Sequence, residues 1–155
     1  MQYSANLSQI SKMNCHPKVT AYYFKEWDGF RMGFHKHGAI EIMYVMSGEC
    51  LVEIASQQLI MKKNQFVLID SKVPHRLIVE KGKPCRMLNV EFILTDTKRN
   101  YPTVYELSEE SEELKELFKG EKTYYYLKDM NGVLHTLRNL VFELDMGRSH
   151  NKDNC

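Results

Sequence analysis

The sequence predicts a mainly β domain, an antiparallel barrel or sandwich followed by two C-terminal α-helices. Three observations carry that expectation. Between about residues 20 and 94 the chain shows seven to nine short strand-like runs at roughly even spacing, divided by turn-forming residues. After Asp96 the apolar repeat changes from about two residues to about 3.6. A length of 155 residues suits one domain with a real core and is short for two.

Taken in order, residues 1–18 are polar, with Ser, Asn and Gln breaking up the apolar positions, and read as a flexible arm unless something docks it. The barrel is expected over 19–95. TAYYFKEW (20–27) is aromatic and β-prone, and Asp28-Gly29 after it is a typical tight-hairpin dipeptide, with Phe30 to Phe34 as the return strand. Ile40 to Met46 is apolar on both faces apart from Glu41, as in a strand buried between two layers. Cys50–Ala55, Leu59–Met61 and Gln65–Ile69 read as further strands, separated by Gln57-Gln58 and by the corner Lys62-Lys63-Asn64. A loop through Pro74 leads into Arg76–Val79, and Lys81-Gly82-Lys83-Pro84 turns the chain into a last long strand, Cys85–Leu94. Residues 96–147 should be helical. Leu107, Leu114, Leu117 and Phe118 share one stripe that Gly120 ends, and Met130, Val133, Leu134, Leu137, Leu140, Val141 and Leu144 mark a longer amphipathic helix ended by Gly147. Residues 148–155 read as a polar tail or the start of a linker.

Composition narrows the function. Apolar residues make up 43% and charged residues 26%, so the chain should fold rather than stay disordered. Lys plus Arg (21) nearly balance Asp plus Glu (20), which leaves no excess charge to neutralise a phosphate backbone. Binding to nucleic acid by this chain alone is not expected. Cys15, Cys50, Cys85 and Cys155 are scattered with no CxxC pair, which argues against a zinc ribbon or a dense disulfide framework and fits a reducing compartment. With no signal-like N-terminus and no membrane-length apolar run, the expected location is cytoplasmic, with no membrane partner.

The stretch GFRMGFHKHGAIEIMYVMSG (29–48) holds the candidate chemistry. On one strand, His35, His37 and Glu41 would share a face because side chains alternate with period two, and His75 opens a neighbouring strand. Neutral imidazoles and a carboxylate suit Zn, Ni, Fe or Mn. The same groups would serve equally as hydrogen-bonding residues of a polar pocket, or satisfy buried backbone groups. Asn89 in the last strand is a pocket candidate, since an inward amide needs a partner. Trp27, with Tyr23, Phe34 and Tyr44, could stack on a sugar ring, although aromatic strand residues are more often core.

Gly29, His35, His37, Glu41 and Gly48 match every defined position of the first cupin motif, G(x)5HxH(x)3E(x)6G. The second motif, G(x)5PxG(x)2H(x)3N, keeps its histidine as His75 but has Asn64, Asp70, Lys72 and Val79 at its other defined positions. Asn tolerates the positive φ that the first of those glycines supplies.

With NQFVLIDSKVPHRL, MLNVEF and two helices following, residues 20–145 resemble the N-terminal sensor domain of AraC/XylS-type transcription regulators. The resemblance implies a cupin jelly-roll barrel that binds a small effector, often a sugar, and helices that help a homodimer form. It implies that DNA is bound only through a C-terminal helix-turn-helix domain, which nothing in this chain resembles. No cofactor is then required, while a divalent metal at His35, His37, Glu41 and His75 is compatible with the cupin ligand set. The rival expectation is a small metal-dependent cupin enzyme, a dioxygenase or an isomerase, using the same four residues.

Overall fold

The computed structural model describes residues 2–3, 6–12, 14–96 and 100–152. Two antiparallel sheets face each other. The larger holds β1 (Gln2–Tyr3), β2 (His16–Trp27), β4 (Ile40–Ser47), β7 (Gln65–Ile69), β9 (Cys85–Thr95) and β10 (Tyr124–Lys128), with β9 and β4 at its centre. The smaller runs in the order β3 (Phe30–Arg31), β8 (His75–Val79), β5 (Glu49–Ile54) and β6 (Gln57–Lys62).

Alternation along β4 explains why this sequence makes a three-layered core. Met43 and Val45 point between the sheets and join Val52, Ile54, Leu77, Val79 and Met87 in a dry cluster. Ile40 and Tyr44 point the other way and are covered by helices. Each such side chain contributes about 1.5–3 kcal/mol by leaving water. Glu41 belongs to the inward-facing set, next in line after Met43, so the one carboxylate in this strand is aimed into the barrel.

Three α-helices follow the barrel where two were expected: α1 (Val104–Glu109), α2 (Glu112–Phe118) and α3 (Val133–Lys152). The expected first helix is split because Ser111 adopts an extended backbone and accepts the Leu114 N–H, starting a new helix. Thr103 and Glu106 form a reciprocal capping box at the start of α1. The long helix runs through Gly147 to Lys152, a lone glycine costing a helix only about 1 kcal/mol. Leu137 and Val141 of α3 pack on Tyr44, Leu88 and Val90, while Phe118 of α2 packs on Ile40 and Leu68. Among the described residues no helix is long and apolar enough to cross a membrane.

Other local expectations are corrected. Asp28-Gly29 is a crossing between sheets and not a hairpin, since β2 pairs with β9 and β3 with β8. The return strand ends at Arg31, so His35 and His37 lie on a loop, His35 forming an isolated bridge with His75. Strand β10, which extends the larger sheet beyond β7, carries YYYLK and was not legible beside the longer helix that follows it. Within residues 1–18 a 3-10 turn spans Leu7–Lys12, Leu7 is 1% exposed, and its N–H reaches Asp70 Oδ1 at 2.9 Å. The end of the tail, residues 153–155 with Cys155, lies outside the described residues.

Asp129 fastens the start of α3 to the barrel. Asp129 Oδ1 accepts N–H groups of Asn131, Gly132 and Val133, and its Oδ2 accepts Leu134 N–H at 3.0 Å and Tyr44 O–H at 2.7 Å. The hydrogen bond from the Tyr44 hydroxyl and those from the amides hold its carboxyl well below the usual carboxylate range. Asp129→Ala is expected to destabilise the fold by about 2 kcal/mol, the upper end for loss of a helix-start acceptor. Asp129→Asn, which keeps an acceptor, should recover part of that. Urea unfolding of the two variants checks both, and equal midpoints for Asp129→Ala and the parent would refute the assignment.

Candidate metal and ligand site

Four of the expected residues converge at one mouth of the barrel. His35 and His37 come from the loop between β3 and β4, Glu41 from β4 and His75 from the start of β8. One ligand atom from each lies within 4.8 Å of the others. The site therefore bridges the two sheets, with Glu41 and His75 buried and His35 and His37 half-buried toward solvent.

The hydrogen bonds settle which imidazole nitrogen faces inward. His35 Nδ1 lies 3.2 Å from Gly33 O, His37 Nδ1 3.0 Å from Ala39 O, and His75 Nδ1 2.8 Å from Val73 O. A carbonyl oxygen only accepts, so each Nδ1 carries its proton. In the neutral ring Nε2 is then a bare lone pair. His37 Nε2 and His75 Nε2 nonetheless stand 3.1 and 2.9 Å from one carboxylate oxygen, Glu41 Oε2. Lone pairs facing a carboxylate at that distance repel unless positive charge lies among them, either a proton on the imidazole or a cation. Backbone carbonyls that hold the outer N–H of metal-binding histidines are the usual way such a tautomer is set.

The donor set fits a divalent ion. Three imidazoles and one carboxylate suit first-row metals, and metal–ligand bonds of about 2.0–2.2 Å require only modest closing of the present spacing. In the metal-free protein a proton on His37 takes that part at low pH. Burial pushes the Glu41 carboxyl up, but hydrogen bonds from His37, His75 and Asn89 outweigh it and hold it at about 2. The hydrogen bond to Glu41 raises the pKa of His37.

Asn89, facing inward from β9, donates from Nδ2 to Glu41 Oε1 at 2.9 Å, while its Oδ1 is buried without a hydrogen-bond partner. That leaves an acceptor inside the barrel for a donor on a bound molecule. Glu91, two residues further along β9 and opposite Glu41 in register, comes within 3.3 Å of His37 Nε2. It was not among the expected site residues, although its parity with Asn89 was available to find it. Burial and repulsion from Glu41 push its carboxyl up. Tyr23 stands opposite Asn89 on β2, and burial with the nearby Glu41 and Glu91 charges pushes its phenol to about 12.

Trp27 is not brought to this group. It stands opposite Cys85, packs on the inter-sheet cluster with Phe30 at 4.2 Å between ring centroids, and lies four residues, roughly 13 Å, along β2 from Tyr23. Trp27 therefore stands apart from the histidine group, among the packed aromatic residues of the core. The two non-glycine residues at glycine positions of the second motif keep the glycine conformation, Asn64 at φ 65° and Lys72 at φ 62°. Lys72 N–H then reaches His37 O at 2.7 Å, and Ser71 Oγ reaches Gly38 O at 2.9 Å, so this corner fixes the loop that carries His37.

Residues 27–91 match the cupin domain family. Among solved structures, a Thermotoga maritima protein described as a predicted oxalate decarboxylase is similar at 25% identity, over 50% of this chain and 69% of its own, with a TM-score of 0.46. A cupin-2 domain protein of Shewanella frigidimarina is similar at 23% identity over 49% and 78%, TM-score 0.40. A Neisseria meningitidis protein is similar at 17% identity over 49% and 81%, TM-score 0.41. No curated protein matches the chain.

Proposed function

From the cupin domain at residues 27–91 as premise, we propose that this chain is the effector-sensing and dimerisation part of an AraC/XylS-type transcription regulator. A small polar effector is held at the barrel mouth, where His35, His37, Glu41 and His75 would hold a divalent ion. The observation that carries the metal is the common orientation of the imidazoles, three Nδ1–H groups on backbone carbonyls and the Nε2 side turned toward Glu41. A divalent ion there supplies positive charge and open coordination positions for oxygen donors. The protein's own groups do the rest: Asn89 Oδ1 accepts from the effector, Glu91 and Tyr23 line the opening, and the dry cluster beneath excludes water.

The signal would leave through the corner after β7. The His37 loop is hydrogen-bonded to Ser71 and Lys72, and Asp70 beside them holds the Leu7 N–H of the N-terminal segment. An effector that favours one placement of this loop shifts the segment's position by no more than its difference in affinity for the two states. The homodimer would use α3, where Phe142, 62% exposed, and Met146, one turn further on, share an exposed face.

Metal analysis of protein purified without added metal, followed by titration of the metal-free form with Zn2+ at two pH values, tests the reading. One ion per chain is expected near pH 7.5. Binding requires neutral imidazoles, so occupancy should fall with pH through the histidine value near 6.5, the raised His37 pKa starting the loss above it. Failure to bind at either pH would overturn the metal, and turnover of an oxygen-dependent or isomerisable substrate would overturn the sensor.

A further inference from the structure

At the opposite end of the inter-sheet space two chain crossings touch. β4 leaves the larger sheet for β5 at Gly48, and β8 returns to the larger sheet as β9 through Pro84 and Cys85. They are so close that a Cβ on Gly48 would meet Pro84 O at 2.1 Å and Cys85 Cα at 3.1 Å. Cys50, two residues beyond one crossing, and Cys85, immediately after the other, both turn into the same buried cluster from different sheets. Both are free thiols. Cys50 also lines a surface cavity of about 510 Å3 with Glu49, Ile60, Glu80 and Lys83, so this part of the cluster is one wall away from solvent.

We propose that Cys50 and Cys85 form a redox site, at which a small hydroperoxide entering this cavity converts the two thiols into a disulfide that ties the sheets together. The contact between the two thiols favours the thiolate on Cys85. Cys50, the sulfur that lines the cavity, attacks the peroxide as its proton passes to the Cys85 thiolate; its S–O bond forms as the O–O bond breaks, and the departing oxygen takes a proton from water to leave as an alcohol or water. Cys85 sulfur then attacks the Cys50 sulfenic sulfur. The S–S bond forms, the S–O bond breaks, and hydroxide leaves with the Cys85 proton as water. Two thiols lose two electrons and one peroxide gains them.

Trp27, the single tryptophan, stands opposite Cys85 and reports on the step. The full chain is treated with equimolar hydrogen peroxide, then digested with trypsin without reduction. Before digestion the oxidised chain is expected to show quenched Trp27 emission, and after it a product that is lighter by two hydrogen atoms than its two parts joins the peptide spanning residues 37–62 to that spanning 82–86. Dithiothreitol should reverse all three changes, and Cys50→Ser and Cys85→Ser should each abolish the linked peptide. If either serine variant fails to fold, peptide mapping of the parent decides alone. The proposal is overturned if peroxide leaves both thiols titratable in the denatured protein, if it oxidises one sulfur to sulfinate without a link, or if the link joins Cys15 instead.

Discussion

Glu41→Gln is expected to weaken binding of a divalent metal by more than about a hundredfold, beyond the 10–100-fold that loss of a mere outer-shell partner costs. The substitution keeps the size of the side chain and removes the only negative charge among the four ligands. It also places an amide where its environment has no consistent use for one. A glutamine NH2 facing Asn89 would meet the Asn89 Nδ2 donor, and turned the other way it would occupy the His37 and His75 lone pairs that the ion needs. Glu91→Gln removes a charge that touches only His37, at 3.3 Å, and should leave most of the affinity intact. Competition against a chromophoric chelator at pH 7.5 measures both variants, with circular dichroism confirming the fold. Parent-like affinity in Glu41→Gln would show that the carboxylate is not a ligand.

The same pair of groups gives the metal-free protein opposite pH responses. Glu41 has a lowered folded-state pKa, so the stability it adds is fully present above the unfolded value of 4.5 and is lost as pH falls through about 2. His37 has a raised one, so its share is present below 6.5 and disappears as pH rises through its folded value. As pH rises through the raised His37 value the metal-free site thus loses the proton that shields its carboxylate, which is the condition under which an ion replaces it most readily.

How much of this could be read from the residues alone differs by feature. The ligand group was legible because its spacing is a rigid local pattern, and the final convergence survives even though the route differs. His35 and His37 meet Glu41 through a loop and a bridge to His75, and not along one continuous strand. Asn89 was legible as a polar residue between Leu88 and Val90, and it does face Glu41. Glu91 is not legible as a site residue, because a glutamate near a strand end is ordinarily solvated and only the register with Glu41 brings it to the group. Trp27, close to the histidines in sequence, stands apart from them because its place is set by the pairing of β2 with β9, which puts it opposite Cys85. The hairpin expected at Asp28-Gly29 does not form because the dipeptide specifies a tight reversal but not which strand the chain pairs with next. Here Asp28 Oδ1 accepts Gly82 N–H at 2.8 Å and directs the chain to the other sheet. Strand pairing across long separations is decided by burial of whole faces, and no local pattern encodes it.

Gly48→Ala should cost about 3 kcal/mol of stability, because it combines left-handed backbone strain with a collision that nothing nearby can relieve. Gly48 has φ 77°, where any Cβ is disfavoured. A Cβ there would also stand 2.1 Å from Pro84 O, a backbone atom held by the turn into β9. Relief would require separating the two crossings, and with them Cys50 from Cys85 and the packing of Val45 and Met87 beyond. Gly82 is the matched control. It has φ 81° but no atom within 4 Å of a built Cβ, so Gly82→Ala carries the backbone strain alone, about 1–2 kcal/mol. Urea unfolding followed by Trp27 emission separates the two cases. Equal destabilisation would mean the glycine at position 48 is required only for its backbone angle, whereas a clearly larger loss at Gly48 assigns the requirement to the contact between crossings that closes this end of the barrel.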